Sequence, residues 1–579
     1  MNIRELSNTV DIRSDDIIRI LHLYGFSLPL LEDEKVCLGH IDSLKSYVEG
    51  QRYSESIDLV HSIYLLDRLD LSQIPQKISK PSRVFRLLRI RLMVAGIHEQ
   101  YLDLESSFAE CKDLSRDQFS LLIGVNGVGK STILRRIVDF FIDLEEYIQT
   151  KQFRSLRKQY IQITGVSYIA NGEIYHIDKK TEEQGYDLNG APVNVLNFPL
   201  PNIVASCFGI ADKFPIKRTF SSSAKFNRYN TSLYSYVGSK ATSNIFSTST
   251  TLFQLLENVL HLKSAATISK VGKILNFIGY AGKLTLECRV SNSIKLIGDF
   301  EEFCSYLHAE LNKKTLNSFL NRFLVFTTQQ KHSLYETYCH LVNNCKEGKD
   351  AYLFNIPFNV ASVLGYRDEA RNLYFLRQIN LIRSVDCYLY NQYGRIRSSE
   401  ISSGEFNLLC TMVGALSASE YGNVLLLLDE PEISQHPNWQ MQVIDLLNEG
   451  LQDCACHFLI ATHSHFLVSD LPLHKSSVTY LYKNSDVMSS QKIEEETFGW
   501  SAEEVLLKVF KVPTARNVYL AKIVGGLLDN IANNTINKEK VVEQISFLKE
   551  VVSNMNDVDP MKKIILTIID IFNNDGART

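Results

Sequence analysis

FSLLIGVNGVGKSTILRRIVDFFIDL, residues 119–144, places an apolar run, a glycine-rich loop and an amphipathic stretch in immediate succession. The run Phe119–Ile123 has the length and aliphatic content of a buried strand, and the apolar positions after Lys130 recur at helical spacing. Gly124, Gly129, Lys130 and Ser131 fill the pattern G-x-x-x-x-G-K-[ST]. Between a strand and a helix N-terminus this pattern cradles phosphates, because backbone N–H groups and the helix dipole face the anion. Lys130 then reaches the β- and γ-oxygens and Ser131 helps hold magnesium. Asn126, Gly127, Gly129, Lys130, Ser131 and Thr132 are therefore the candidate nucleotide-binding residues, and the expected fold class is α/β. A glycine turn that happens to contain a lysine would not need a strand before it and a helix after it.

NVLLLLDEPEISQHP (423–437) supplies the second half of such a site. An aliphatic strand delivers Asp429 to its C-terminal edge, where open α/β sheets bind their ligands. Asp429 is the second candidate metal residue beside Ser131, and Glu430 is the candidate base that orients or deprotonates the attacking water. CHFLIATHSHF (456–466) ends another short strand in Thr462 and His463, about one strand–helix–strand unit later. A histidine at a strand end is commonly structural, but that separation favours a contact from His463 to the γ-phosphate. ISSGEFNLL (401–409) on its own reads as a helix cap with Ser403 at the N-cap.

In this order GVNGVGKST, ISSGE, LLLLDEPEIS and ATHS resemble the phosphate loop, signature, acidic strand and switch histidine of ABC-type ATPases. The resemblance implies a P-loop head built on a mixed sheet flanked by helices, with ATP and Mg2+ as cofactors. It also implies two heads face to face, the signature of one closing over the γ-phosphate held by the other. Ser402, Ser403, Gly404 and Glu405 would then serve the nucleotide of a second copy, so the functional unit is at least a dimer. Further stretches are similar to PtuA-type ATPases of the Septu antiphage system, which retron loci also use: VASCFGIADKF (204–214), YSYVGSKA (234–241), DEPEISQHPNWQ (429–440), THSHFLVSDL (462–471) and TFGWSAEEVLLKVF (497–510). The likeness spans roughly residues 80–520. It implies a separate HNH nuclease of the PtuB type as partner and, in a retron setting, a reverse transcriptase with its RNA–DNA product.

The chain departs from the pattern in places. The glutamine that many ABC ATPases carry between phosphate loop and signature is not identifiable, and the SCFGIADKF region is the candidate to take its place. Ile401 and Ser403 stand where transporters have leucine and glycine, Gln435 where leucine is expected, and His465 where proline is common. These departures leave every catalytic group in place and point to slow turnover.

Totals narrow the function classes. The chain has 579 residues, 45% hydrophobic and 22% charged, with a formal charge of −4, which is a globular multidomain composition without the basic bulk of a nucleic-acid binder. No apolar run approaches the roughly 18 residues of a membrane span, and the opening residues lack a signal peptide's apolar region. Eleven cysteines are scattered, and Cys454 and Cys456, one residue apart, do not have zinc-site spacing, so free thiols in the cytoplasm are expected.

Five segments are expected: a small helical module (1–78), an ATPase lobe with the phosphate loop (79–220), a mostly helical insertion (221–375), a second lobe with signature, acidic strand and histidine (376–495), and a helical C-terminal region for partner or self-association (496–579). The first resembles, over about fifty residues, the N-terminal three-helix module of bacterial initiation factor two. A linker is expected at 72–82, a loop over 220–245 and a last strand at SVTYLYK (477–483). Arg86, Arg89 and Arg91 on a strand read as an ion-pair ladder or as part of a basic surface. DVDP (557–560) has the letters of a D-x-D metal pair but reads as a helix start, and no H-N-H cluster occurs, so the chain is expected to cut nothing itself. The alternative function is a DNA-structure-binding clamp ATPase of the repair type, with DNA as its partner and no dedicated nuclease.

Overall fold

The computed structural model describes residues 85–575 apart from 105–116, 151–158, 180–184, 193–197, 210–211, 217–227, 291–296, 314–319, 347–350, 359–366, 434–439, 510–517, 533–537, 556–558 and isolated positions. The helical module expected over 1–78, the linker at 72–82 and Gln435 lie outside the described residues. Seven strands carry the motifs: β3 (Gln118–Gly124), β8 (Asn202–Cys207), β9 (Tyr234–Val237), β16 (Val424–Asp429), β17 (Cys456–Thr462), β18 (Ser476–Asn484) and β19 (Val487–Ile493). They form one sheet in the order β19-β18-β3-β17-β16-β8-β9. Every pair is parallel except β18 with β19.

Parallel strands covered on both faces read as unbroken apolar runs, which explains VLLLL. Leu426 and Leu428 enter the core on one face of the sheet, Leu425 and Leu427 that on the other. Two strands escaped the sequence reading. The strand expected to be the last, here β18, is followed by β19, an edge strand whose VMSSQKI has little apolar content to announce it. The expected loop at 220–245 contains β9, because Tyr234 and Tyr236 are buried and their hydroxyls donate to Pro215 O (2.7 Å) and Asp212 Oδ2 (2.5 Å).

One face of the sheet is covered by α1 (Lys130–Thr150), whose Ile133, Ile137 and Phe141 share a core with Leu122, Leu427 and Leu459. Over α1 lies an antiparallel sheet ordered β2-β1-β4-β5-β6-β7. Its strands are β1 (Phe85–Val94), β2 (His98–Asp103), β4 (Ile161–Ala170), β5 (Glu173–Lys179), β6 (Tyr186–Leu188) and β7 (Ala191–Pro192). The β1 arginines form a ladder of partners and not a basic face: Arg89 pairs with Asp103, Arg91 with Asp178 (2.8 Å), and Arg86 is buried. His457, fully buried in β17, joins the two sheets by accepting from Leu87 N at Nδ1 (2.8 Å).

The other face carries α2 (Thr248–His261), α3 (Ala265–Phe277), α7 (Ser403–Ser419) and α8 (Val443–Gly450). A two-stranded ribbon, β10 (Lys240–Thr242) and β11 (Ile245–Phe246), precedes α2. The segments expected on either side of residue 375 share a sheet. A four-stranded sheet ordered β13-β12-β14-β15 joins β12 (Lys283–Val290) and β13 (Tyr352–Pro357) to β14 (Ile382–Asn391) and β15 (Gly394–Arg397). Backbone pairing such as Leu286 with Cys387 links the segments on either side of residue 375. Helices α4 (Phe300–Lys313), α5 (Thr328–Lys346) and α6 (Arg367–Gln378) accompany this sheet.

After β19 a short helical turn capped by Ser501 leads into a π-helical segment, Val505–Val509. Val505 and Val509 pack in the head's core, whereas Leu507 joins a separate core formed by α10 (Val518–Ala532), α11 (Lys538–Ser553) and α12 (Pro560–Asp575). Among the described residues no helix is long and apolar enough to cross a membrane.

Candidate nucleotide site

The position of β17 between β3 and β16 decides the site. Ile123 pairs with Thr462, and Ala461 with Asp429, so the three strands end level with one another. The loop after β3, the acid at the end of β16 and the histidine after β17 therefore emerge side by side.

Two glycines are needed in the loop by its geometry. Gly124 lies against β18 so closely that a Cβ there would stand 2.2 Å from Leu481 O. Gly127 has φ +76°, left-handed backbone that L side chains rarely adopt. Asn126 and Gly127 are exposed, while Lys130 is buried. Lys130 Nζ donates to Gly124 O (2.9 Å) and lies 2.5 Å from His463 Nε2. Burial holds Lys130 down to about 8, against the opposing charges of Glu430, Asp429 and Glu432. Burial, and then the Lys130 charge, hold His463 down to about 4, so its imidazole is neutral at pH 7 and accepts from the ammonium. The same Nε2 lies 3.6 Å from Glu430 Oε1.

Ser131 Oγ donates to Asp429 Oδ1 (2.9 Å). Burial foremost pushes the Asp429 carboxyl up to about 7, with the Ser131 hydrogen bond opposing it and the Glu430 charge adding to it. A buried carboxyl that ionises with difficulty, paired with a hydroxyl, fits a small hard cation that keeps its remaining positions for water and phosphate oxygens. Glu430 itself has φ +52°. Such backbone costs about 1–3 kcal/mol and persists where the surroundings over-determine it; here Glu430 N donates to Ala461 O (2.8 Å) and Glu430 O accepts from Ile433 N (3.1 Å).

Two side chains that the sequence reading left without a role stand in the same place. Glu432 Oε1 accepts from Thr462 Oγ1 and from His463 N, both at 2.7 Å. Lys213 Nζ donates to Thr132 Oγ1 (2.9 Å), and its charge acts on both Lys130 and Asp429. Lys213 belongs to the SCFGIADKF region, which reaches the site at a second point where Phe208 N donates to Asp429 O (3.2 Å). The second acid of DEPE and the lysine of ADKF were the available signals, but neither fits a short motif.

The signature lies elsewhere. Four residues, 420–423, link α7 to β16, so α7 runs antiparallel to that strand and its N-terminus points towards the edge that bears the site. Thr411 Oγ1 donates to Ser206 Oγ (2.8 Å) near the end of β8, and the eight residues from there back to Ser403 carry the helix about 12 Å further. It does so on the face opposite α1. Ser402, and not Ser403 as expected, is the N-cap: its φ and ψ are −52° and 131°, and its carbonyl accepts the first helical bond from Phe406 N (3.0 Å). The Ser402 side chain makes no capping bond; Ser402 and Ser403 are exposed, Gly404 is buried, and Glu405 Oε2 accepts from Tyr280 OH (3.3 Å).

An AAA ATPase domain family matches residues 408–468, from within α7 through β16 and β17. Comparison with curated proteins finds no match. Among solved structures, the SMC head domain from Thermotoga maritima is similar at 10% identity and a TM-score of 0.31, over 71% of this chain and 100% of that one. An Smc head with an extended coiled coil from Pyrococcus furiosus, bound to the C-terminal domain of ScpA, is similar at 12% identity and 0.28, over 71% and 96%. An SmcHead bound to the C-winged helix domain of ScpA gives 10% and 0.28, over 70% and 97%. The structure is the expected mixed α/β fold, a sheet flanked by helices with the phosphate-loop motif, the acid and the histidine at one edge.

Proposed function

We propose that the chain binds and hydrolyses ATP with Mg2+ between two paired heads. The observation that carries this reading is the convergence of Lys130, the Ser131–Asp429 pair, Glu430 and His463 at one sheet edge. Bound magnesium supplies charge that draws electron density from the terminal phosphate. Lys130, now turned on His463 Nε2, pivots to the β- and γ-oxygens, and Asn126, Gly127, Gly129 and Thr132 line the phosphate chain. His463, being neutral, donates or accepts at the terminal phosphate without adding a full charge. Glu430 holds and deprotonates the attacking water. Ser402, Ser403, Gly404 and Glu405 meet the γ-phosphate of a second copy; exposed serines at a helix N-terminus that projects beyond the sheet edge support that role.

The sequence resemblance supports a narrower reading, in which this ATPase scaffolds and restrains a separate HNH nuclease in antiphage defence, with a reverse transcriptase and its RNA–DNA product in a retron setting. The C-terminal segment offers a route from nucleotide to partner. Thr497 Oγ1 donates to Val468 O (2.7 Å) and Gly499 N to Ser469 O (2.9 Å), so the segment leading to the tail is tied to the short helix α9 (His465–Ser469) that follows His463. Purified wild-type protein should release phosphate from ATP. Lys130→Ala should lose ATP binding, and Glu430→Gln should bind ATP and hydrolyse it at least about a hundredfold more slowly. Unchanged hydrolysis in Glu430→Gln would overturn the assignment of the base. ATP-strengthened, salt-sensitive DNA binding without a nuclease partner would replace the defence reading with the clamp reading.

A further inference from the structure

Glu432 lies two residues past the candidate base, and its charge acts on Lys130. Its carboxylate accepts hydrogen bonds from the chain that presents His463. Oε1 takes two donors, Thr462 Oγ1 and His463 N (2.7 Å each). The Thr462 hydroxyl in turn accepts from Ser464 N (2.9 Å), so one carboxylate oxygen organises three consecutive residues. A second tie closes around the same turn: Gln440 Nε2 donates to Glu432 O (3.3 Å) and Ser464 Oγ donates to Gln440 Oε1 (3.3 Å). The other carboxylate oxygen, Oε2, is shut off from solvent with no hydrogen-bond partner. Burying a carboxylate and leaving one oxygen unpaired is costly.

We propose that Glu432 is the positioning residue of the histidine switch: through Oε1 it holds the Thr462–Ser464 turn so that His463 Nε2 points between Lys130 Nζ and Glu430 Oε1. This rests on the reading of His463 as the contact to the terminal phosphate. The carboxylate is used as an acceptor and not as an acid, so a glutamine, whose amide oxygen accepts the same two donors, does the same work. Alanine leaves His463 N and the Thr462 hydroxyl without their acceptor and frees the turn.

The test compares Glu432→Ala, Glu432→Gln and His463→Ala in the full chain. Glu432→Ala should lower kcat about 10- to 100-fold with little change in Kd for ADP, since a misplacement of about 1 Å suffices for a loss of that size. It should also lose most of the preference for ATP over ADP, as His463→Ala does, and the double variant should be no worse than His463→Ala. Glu432→Gln should stay within about threefold of wild type. Hydrogen exchange at the amides of His463 and Ser464 should accelerate in Glu432→Ala alone. A glutamine variant as defective as alanine, or an alanine variant with unchanged exchange and kcat, would overturn the proposal. If His463→Ala leaves kcat and ATP preference intact while the exchange result holds, the role of His463 fails and the positioning by Glu432 stands.

Discussion

Replacing Gly124 by alanine should disable nucleotide binding through a clash that the structure specifies. The new Cβ would stand 2.2 Å from Leu481 O, the backbone of the register partner in β18. Real Cβ atoms stay beyond 3.0 Å, so β3 and β18 must separate by about 0.8 Å at their C-terminal ends. Overpacking of this kind costs about 1–3 kcal/mol, and no flexible side chain is available to yield. The movement falls on Gly124 O, which accepts from Lys130 Nζ at 2.9 Å. A hydrogen bond to a charged group contributes about 1.5–3 kcal/mol, and losing it lets the lysine swing away from the phosphate position. The expected result is a 10- to 100-fold rise in Kd for a fluorescent ATP analogue, at about 1.4 kcal/mol per tenfold, together with a fall of several degrees in Tm. Gly127→Ala is the control, because open space surrounds its Cβ and only the left-handed φ of +76° opposes it, at about 1–2 kcal/mol. If Gly124→Ala binds ATP and melts like wild type, or if Gly127→Ala melts lower than Gly124→Ala, the packing argument at β3 is refuted.

Lys213→Met should raise the Kd for ATP about fivefold at low salt, with the difference shrinking near 0.5 M salt because the side chain is exposed and screened; a salt-independent loss would indicate damage to the loop and not a missing charge. Burial holds His457 down to about 3, so the folded chain refuses a proton that the unfolded chain takes near 6.5. The unfolded state binds more protons in that interval, so stability is full above pH 6.5 and falls as pH drops towards 3, by up to about 4–5 kcal/mol. Tm measured between pH 6.5 and 4.5 should therefore fall less steeply for His457→Gln than for wild type, and equal slopes would contradict the assignment.

The parts of the fold that the sequence made legible are those in which one residue type has one physical use. A buried parallel strand must be apolar throughout, so Phe119–Ile123 and Val424–Leu428 announced themselves, and the loop and acid at their ends followed. The opposite holds for β9 and β19. An edge strand needs little apolar content, and the tyrosines of YSYV hide their hydroxyls in hydrogen bonds that only the tertiary structure reveals. The sheet crossing residue 375 was equally hidden, since β12 ends at Val290 and β14 begins only at Ile382, and the two pair only in space. Short motifs found Lys130, Ser131, Asp429 and Glu430, and strand order explains why His463 stands with them. Glu432 and Lys213 act through contacts with residues 30 and 81 positions away, which no local pattern encodes.

In the proposed function, ATP joins two heads through the Ser402–Glu405 edge. The most direct measurement is the molar mass of Glu430→Gln by light scattering after gel filtration, with Mg2+ and with or without ATP. Pairing through this edge should give an ATP-dependent rise in mass that disappears when Ser403→Arg is added, although the double variant still binds ATP. A mass that ignores ATP, or pairing that survives Ser403→Arg, would contradict it.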